Sequence, residues 1–114
     1  MKETEAIDAL SALSQETRLR IVRYLVGCGD DGAAAGDIAE NVDAAASRAS
    51  FHLSVLEQAS MVTSERQSRK IIYKADIEKI GSLISFLLND CCANHPDIRA
   101  CCLDRNSEYY QQPP

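Results

Sequence analysis

The sequence predicts a mainly α-helical domain that carries one β-hairpin. Apolar residues recur at helical spacing over most of the 114 residues, and the stretch 61–75 is instead rich in β-branched and aromatic residues. At 46% hydrophobic and 25% charged content, the composition fits one globular domain. A chain of this length buries a modest core, so dimerisation would add stability.

Two helices are expected at the start of the chain. Ile7, Leu10 and Leu13 have the spacing of one helix face, and Ser14 is a candidate cap for the second helix. The expected shared face of that second helix consists of Leu19, Val22, Leu25 and Val26.

A helix, a tight turn and another helix are expected next. Residues 27–36, GCGDDGAAAG, contain four of the five glycines and two aspartates, which is typical of a loop. A short helix over Asp37–Val42 follows, and Asp43 is a plausible cap for a helix from about Ala45 to Ala59.

The hairpin is predicted from MVTSER and KIIYKA, which flank a tip of Gln67, Ser68 and Arg69. After it, Asp76 can start a long helix with an unusually wide apolar stripe: Ile77, Ile80, Leu83, Ile84, Phe86, Leu87 and Leu88. Such a stripe suits two partners, the body of the domain and a second subunit. The alternative is a single deeply buried helix.

Basic residues concentrate on the predicted second helix of the pair and on the hairpin. Residues 44–75 contain five basic and two acidic residues, a local charge of +3 in a chain whose net charge is −5. An acidic protein ordinarily repels nucleic acid. The placement of this basic cluster on a helix-turn-helix and hairpin nevertheless favours contact with DNA phosphates over a merely solvated face.

Four of the five cysteines lie in one segment, NDCCANHPDIRACC, residues 89–102. The start MKETEAIDAL lacks the pattern of a signal peptide, and no apolar run is long enough to span a membrane, so we expect a cytoplasmic protein with no membrane partner. A reducing compartment favours a metal site or thiol sensor over a disulfide framework. The fifth cysteine, Cys28, is interpreted as a small buried residue near a helix end.

An enzyme is not expected, because the sequence contains no recognisable pair of nucleophile and base, no paired carboxylates and no phosphate-binding loop. Three segments instead resemble the winged helix-turn-helix of the ArsR (ArsR/SmtB) family of metal- and metalloid-responsive repressors: ALSQETRLRIVRYLV, GDIAENV and SRASFHLSVLEQASMVTSERQSRKIIYKA. The resemblance covers about residues 6–92. It implies a winged helix-turn-helix and dimerisation domain over 1–92, with a cysteine-containing tail over 93–114 whose end is expected to be disordered.

The resemblance implies a homodimer joined through the first and last helices, with the helix at 45–59 as recognition helix in the major groove of operator DNA. Base-edge and phosphate contacts are then expected at the start of that helix, from Ser47, Arg48, Ser50, Phe51 and His52. For His52 the alternative is a half-buried residue under the helix. Wing contacts to phosphates or the minor groove are expected from Arg66, Arg69 and Lys70. The wing tip lacks the glycine usual in the family, so the type of turn stays open.

The inducer site follows from the same resemblance. One branch of the family senses arsenite through a vicinal cysteine pair at the end of the last helix and one further cysteine downstream. Cys91 and Cys92 match the pair, and either Cys101 or Cys102 matches the third ligand. Trivalent arsenic or antimony suits three thiolates. Neighbouring side chains of a regular helix diverge, so Cys91 and Cys92 can both bind one ion only if the helix ends there. Asn94 can adopt a left-handed conformation and Pro96 cannot continue the helix, so the chain can turn at this point.

Two alternatives remain open at this point. The same repressor could respond to disulfide formation between the two cysteine pairs, or to a thiophilic cation such as Cd(II) or Zn(II). In a different class, the chain could be a thiol metal-binding protein that does not bind DNA. The net negative charge favours that second alternative.

Overall fold

The computed structural model describes residues 1–103, and within them it confirms the mainly helical domain with one hairpin. The elements are α1 (Glu3–Leu13), α2 (Glu16–Cys28), β1 (Ala33–Ala34), α3 (Ala35–Asn41), α4 (Ala46–Gln58), β2 (Val62–Gln67), β3 (Lys70–Ala75), α5 (Ile77–Phe86) and α6 (Pro96–Leu103). The predicted disorder at the end of the chain concerns residues outside the described ones.

The hydrophobic core lies where α1, α2, α4 and the sheet meet. Its largest fully buried side chains are Ile21, Leu25, Ile38, Leu53, Leu56, Met61 and Val62. The predicted face of α2 is partly wrong, because Leu19 and Val26 are 47% and 46% exposed while Ile21 takes their place in the core. Successive helical residues are rotated by about 100°, so a buried arc that includes Ile21, Val22 and Leu25 leaves Leu19 outside it.

Two predicted helix caps are wrong and one is confirmed. Ser14 ends α1 and donates its hydroxyl to the Ser11 carbonyl, whereas Gln15 caps α2 by accepting from the Arg18 amide at 2.8 Å. Asp43 lies in the turn before α4 with φ 54°, and Ala45 occupies the cap position without a side-chain bond. Asp76 does cap α5, accepting from the Lys79 amide at 3.1 Å.

The sheet is antiparallel with strand order β1-β3-β2. The register of the β2–β3 hairpin pairs Val62 with Ala75 and Gln67 with Lys70, which leaves Ser68 and Arg69 as a two-residue turn. Ser68 has φ 57° and so supplies the left-handed residue for which a glycine is usual. The strand β1, which was not predicted, adds Ala33 and Ala34 to the other edge of β3.

A single glycine makes the approach of β1 to β3 possible. Gly32 has φ 63°, and a Cβ built at this position would overlap the backbone carbonyl oxygen of Tyr73. A side chain is therefore excluded by contact as well as by conformation. This glycine joins the loop after α2 to the sheet that carries the hairpin.

The C-terminal end of α5 leaves regular α-helix before it turns. The segment Leu87–Cys91 is π-helical, and the Cys92 amide donates to the Leu87 carbonyl at 3.0 Å. Ala93 and Asn94 then have φ 50° and 52°, and Pro96 begins α6. The predicted turn near residues 93–96 is confirmed, whereas α6 was not predicted.

Candidate nucleic-acid interface and thiol segment

One face of α4 carries exposed polar and aromatic side chains. Of the five residues predicted to contact DNA from this helix, Ser47, Arg48, Ser50 and Phe51 are exposed, and Phe51 is 61% exposed. The opposite face buries Ala49, Leu53 and Leu56 in the core. Ser54 was not predicted, but it is also exposed. It lies four residues after Ser50 and three after Phe51, so helical spacing places it on the same face.

The three predicted basic residues of the hairpin are all exposed. Arg66 lies on β2, Arg69 lies in the turn and Lys70 begins β3. The hairpin is attached to α4 by a hydrogen bond from the Ser64 hydroxyl to Glu57, with a donor–acceptor distance of 2.5 Å. The hairpin therefore has a defined connection to the end of α4.

A cavity of about 530 Å³ separates α4 from the hairpin and brings the two groups of predicted residues together. Ser50 lines it from α4, Arg69 and Lys70 line it from the wing, and Ala34–Asp37 line it from the start of α3. Ile71 and Tyr73 form the rest of its wall. The polar and basic side chains thus border a concave surface between two protruding elements.

Most of the basic charge on this surface is not neutralised by protein carboxylates. Within residues 1–103 the ion pairs are Arg20 with Glu16, on α2, and Lys74 with Glu65, whose atoms are 3.9 Å apart. Arg48, Arg66, Arg69 and Lys70 form none there. Their charges are available to an anionic partner, and phosphate neutralisation is the dominant source of affinity for DNA.

His52 differs from the other residues predicted to contact DNA because it is buried, with 7% exposure. Its Nδ1 lies 3.0 Å from Nη1 of Arg18 on α2. Burial lowers the pKa of His52, and the positive charges of Arg18 and Arg48 lower it further. The structure therefore places this ring under the helix, as the alternative interpretation expected, and not on the surface.

A second surface, formed by α1 and α5, exposes large apolar side chains. On α1 the small residues Ala6, Ala9 and Ala12 are buried against the core, while Ile7 and Leu10 are 56% and 41% exposed. On α5 Leu83 faces the core, whereas Ile77 and Ile84 are 62% and 52% exposed. We refer to Ile7, Leu10, Ile77 and Ile84 as the apolar face.

The four clustered cysteines are free thiols, and they lie in the segment that follows α5. Cys91 ends the π-helical segment and is exposed, and Cys92 is half-buried at the turn. Cys101 and Cys102 lie on α6, half-buried and exposed respectively. Cys28, the fifth, lies at the end of α2 as predicted, but it is half-buried and not fully buried.

The turn between the two cysteine pairs is held by local hydrogen bonds. The Asn94 amide donates to the Leu88 carbonyl at 2.7 Å, and Asn94 Oδ1 accepts from Arg99 at 3.1 Å. The Asp97 amide donates to Nδ1 of His95 at 3.1 Å, so this ring caps the start of α6. Seven of the eight residues of α6 are exposed, so it is held mainly by this turn.

Among the described residues, no three His, Cys, Asp or Glu side chains are grouped closely enough to hold a metal ion. The four thiols are therefore near one another along the chain without forming a preassembled ligand set. No helix within residues 1–103 has the length and apolar character needed to cross a bilayer.

A family model described as a helix-turn-helix domain matches residues 13–65. Two relatives come from Bacillus subtilis. The uncharacterized HTH-type transcriptional regulator YbzH is 30% identical over 95 residues, covering 73% of this chain and 95% of the relative. The transcriptional repressor SdpR is 33% identical over 82 residues, covering 72% of this chain and 88% of the relative.

Solved structures share the same architecture. An ArsR-like transcriptional regulator from Rhodococcus sp. RHA1 superposes with a TM-score of 0.69 at 23% identity, covering 94% of this chain and 96% of that one. The homodimeric winged helix-turn-helix DNA-binding domain Mb0332 from Mycobacterium bovis gives 0.61 at 21% identity, with 81% and 85% covered. A "possible transcriptional regulator for arsenical resistance" gives 0.60 at 28% identity, with 77% and 96% covered.

Proposed function

This chain belongs to the helix-turn-helix transcriptional regulators, and on that premise we propose that it is a homodimeric repressor of the ArsR type, released from its operator by trivalent arsenic or antimony. The observation that carries the inducer assignment is the position of the two free cysteine pairs. One pair lies before and the other after the turn that follows α5, the helix that carries Ile77 and Ile84.

The DNA-binding half of the proposal rests on the surface between α4 and the wing. Exposed Ser47, Arg48, Ser50 and Phe51 project from α4, and the concavity beside them is bordered by Arg69 and Lys70. Arg48 is suited to bidentate contact with guanine and Phe51 to contact with a thymine methyl group. The basic wing residues are suited to phosphates, which position the protein without reading sequence.

The homodimer is supported by the apolar face, because four large apolar side chains on two contacting helices are exposed in the isolated subunit. Large apolar side chains exposed on neighbouring helices are typical of an interaction site. A two-fold dimer would present two α4 helices about 34 Å apart, one turn of DNA, which predicts an imperfectly palindromic operator.

The thiol segment is chemically suited to trivalent arsenic. Three soft thiolates satisfy this ion, and the segment offers Cys91 and Cys92 together with one of the two thiols of α6, for which we favour Cys101. The exposed helix α6 is held mainly by its turn, so it can move towards the vicinal pair with little loss of core packing. Each thiol transfers its proton to a hydroxide of arsenious acid, which leaves as water, so As–S bonds replace As–O bonds without a net release of protons.

Coupling between inducer and DNA would operate through the end of α5. Drawing Cys91, Cys92 and a thiol of α6 onto one ion would change the π-helical segment, which directly continues the helix that carries Ile77 and Ile84. A shift there alters how the two subunits, and hence the two α4 helices, are spaced. The inducer then lowers operator affinity because it binds the altered arrangement more tightly.

A gel-shift titration tests the proposal. The reduced protein is bound to a duplex from its own upstream region and titrated separately with arsenite, Cd(II), Zn(II) and peroxide. Release by arsenite supports the proposed inducer. Release by peroxide alone, or by the cations alone, would show a repressor of the same fold that responds to oxidation or to a soft metal. Failure to bind any duplex would favour a thiol metal-binding protein that does not act on DNA.

A further inference from the structure

One arginine side chain joins three helices of the domain. Arg18, on α2, donates from Nε to the Ala12 carbonyl at the end of α1 over 2.6 Å. Its Nη1 lies 3.0 Å from Nδ1 of His52, in the middle of α4. The last carbonyls of a helix lack partners within it, so Arg18 satisfies one of them while it holds a residue of the recognition helix.

The Arg18 contact determines the state of the His52 ring. A guanidinium group carries only donors, so Nδ1 of His52 must accept and the imidazole is neutral with its proton on Nε2. The buried environment and the nearby charges of Arg18 and Arg48 favour this same neutral form. The ring therefore has one orientation in which its hydrogen bond is made.

The His52 ring in turn contacts the most exposed aromatic side chain of α4. The centroids of Phe51 and His52 are 5.4 Å apart and their planes are inclined by 61°, an edge-to-face arrangement. Aromatic pairs favour this geometry over face-to-face stacking. Fixing the His52 ring therefore restricts the positions open to Phe51, which projects from the surface of α4.

We infer that Arg18 is a positioning residue for sequence reading: it holds His52, and through it Phe51 and the pitch of α4, relative to the end of α1. The inference rests on the proposed function, in which α4 reads the major groove. Arg18 itself does not face that surface. Its role would be to limit the recognition helix to the orientation that matches specific base edges, while the phosphate contacts of the wing remain independent of it.

The surroundings of Arg18 allow this role to be tested without unfolding the domain. The residue lines a cavity of about 300 Å³ between α1 and α4, together with Asp8, Ser11, Val55 and Gln58. Shortening the side chain would enlarge a space that already exists and would not open a void in the core. Arg18→Gln is therefore expected to fold, and Arg23→Gln, on the exposed side of the same helix, is a control for the lost charge.

Two substitutions of His52 separate the hydrogen bond from the bulk of the ring. In His52→Asn, the amide oxygen can accept from Arg18 near the position of Nδ1. In His52→Leu, the acceptor is removed and Arg18 keeps only its contact with Ala12. A positioning role predicts that the asparagine variant recovers most of what the leucine variant loses.

The experiment compares binding to two fluorescent duplexes by anisotropy: the preferred duplex selected from the upstream region and a scrambled duplex of equal length and composition. We expect Arg18→Gln and His52→Leu to lower the ratio of specific to scrambled affinity about five- to tenfold, the scale of one ordinary hydrogen bond. Scrambled binding and the Arg23→Gln ratio should stay unchanged, the thermal midpoints should stay above the assay temperature, and His52→Asn should restore the ratio.

The outcomes separate this inference from the function on which it rests. If the wild-type protein does not distinguish the two duplexes, the proposed function fails. If the wild type distinguishes them and Arg18→Gln does so equally well, the inference is overturned. It is also overturned if Arg18→Gln lowers both affinities and the thermal midpoint together, because Arg18 would then serve only stability.

Discussion

The amide of Cys92 donates to the carbonyl of Leu87, five residues earlier, over 3.0 Å. This bond marks the place where the last helix before the turn widens into a π-helical segment and releases the chain at the vicinal cysteines. The proposed inducer site therefore lies at an interruption in a regular helix, where a change of backbone costs less than it would in the helix interior.

Substitution of the vicinal thiols should uncouple induction from DNA binding. Cys91→Ser and Cys92→Ser should each abolish release by arsenite, because a hydroxyl is a poor ligand for a soft ion, while operator affinity stays unchanged. Gel shifts with and without arsenite would check this. Cys28→Ser is the matched control, since Cys28 is half-buried at the end of α2, and a lost response in that variant would contradict the ligand assignment.

Removal of one basic wing residue should change the salt dependence of binding. In Arg69→Ala, the slope of log affinity against log salt should fall by about one, and affinity should fall on all sequences alike, as expected for a lost phosphate contact. Arg23→Ala removes an exposed arginine of α2 and should leave the slope unchanged. Equal slopes for wild type and Arg69→Ala would exclude this contact.

A charge on the apolar face should separate the subunits. Ile84→Asp places a carboxylate on the apolar face, and we expect a dimer dissociation constant at least about 30-fold higher, the scale of an interface hot spot. Analytical ultracentrifugation would measure it. Val26→Asp, at a similarly exposed apolar position on α2, should leave the dimer intact. If both variants behave alike, the subunit contact lies elsewhere.

Addition of a single methyl group should have opposite effects at two glycines. Gly32→Ala should lower the free energy of unfolding by about 2 kcal/mol or more, because the new Cβ meets the Tyr73 carbonyl at a left-handed position. Gly27→Ala, in α2 with open space around the added carbon, should raise stability by up to about 1 kcal/mol. Urea unfolding of both variants would test the sheet connection.

Acidification should weaken the domain through His52. The pKa of this ring is lowered in the folded state, so the unfolded chain binds its proton more readily. The contribution of His52 is then complete above its ordinary pKa of 6.5 and decreases as the pH falls towards the folded value. Thermal midpoints measured across this range should show the loss. The His52→Asn variant lacks this titration, and an identical pH profile in it would assign the loss to other groups.

The groups that bear on this titration come from each element around the ring. Arg18 of α2 and Arg48 of α4 both oppose its protonation, and the carboxylate of Asp8 on α1 lines the same cavity as Arg18. The charges that oppose protonation belong to arginines, which remain charged throughout the range. The predicted pH dependence therefore follows from the imidazole itself.

Much of the fold could be predicted from periodicity, and the errors have physical causes. The hairpin was predicted from its β-branched and aromatic residues, and the structure confirms both its strands and the helix α4. Ser14 and Asp43 are good capping residues by type, yet tertiary context selects Gln15 and Ala45. The face of α1 that packs on the core is made of alanines, and a search for large apolar residues identifies the outward face instead.

The exposed residues of the candidate site could be predicted from the sequence, whereas the contacts between its buried residues could not. The family resemblance predicts DNA contacts from Arg48, Ser50, Phe51 and the wing residues, and all of these side chains are exposed. The bond between Arg18 and His52 joins residues 34 positions apart, and no local pattern reveals it. The short helix α6 was missed because its amphipathic pattern is weak and its residues remain exposed.

The central claim is that one protein couples its C-terminal thiols to operator binding. The most direct measurement is the dissociation constant for the preferred duplex, by fluorescence anisotropy, before and after the reduced homodimer takes up one equivalent of arsenite per subunit. We predict an increase of about 5- to 150-fold, the usual range of coupling between two sites. An unchanged constant with the arsenite demonstrably bound to the thiols would contradict it.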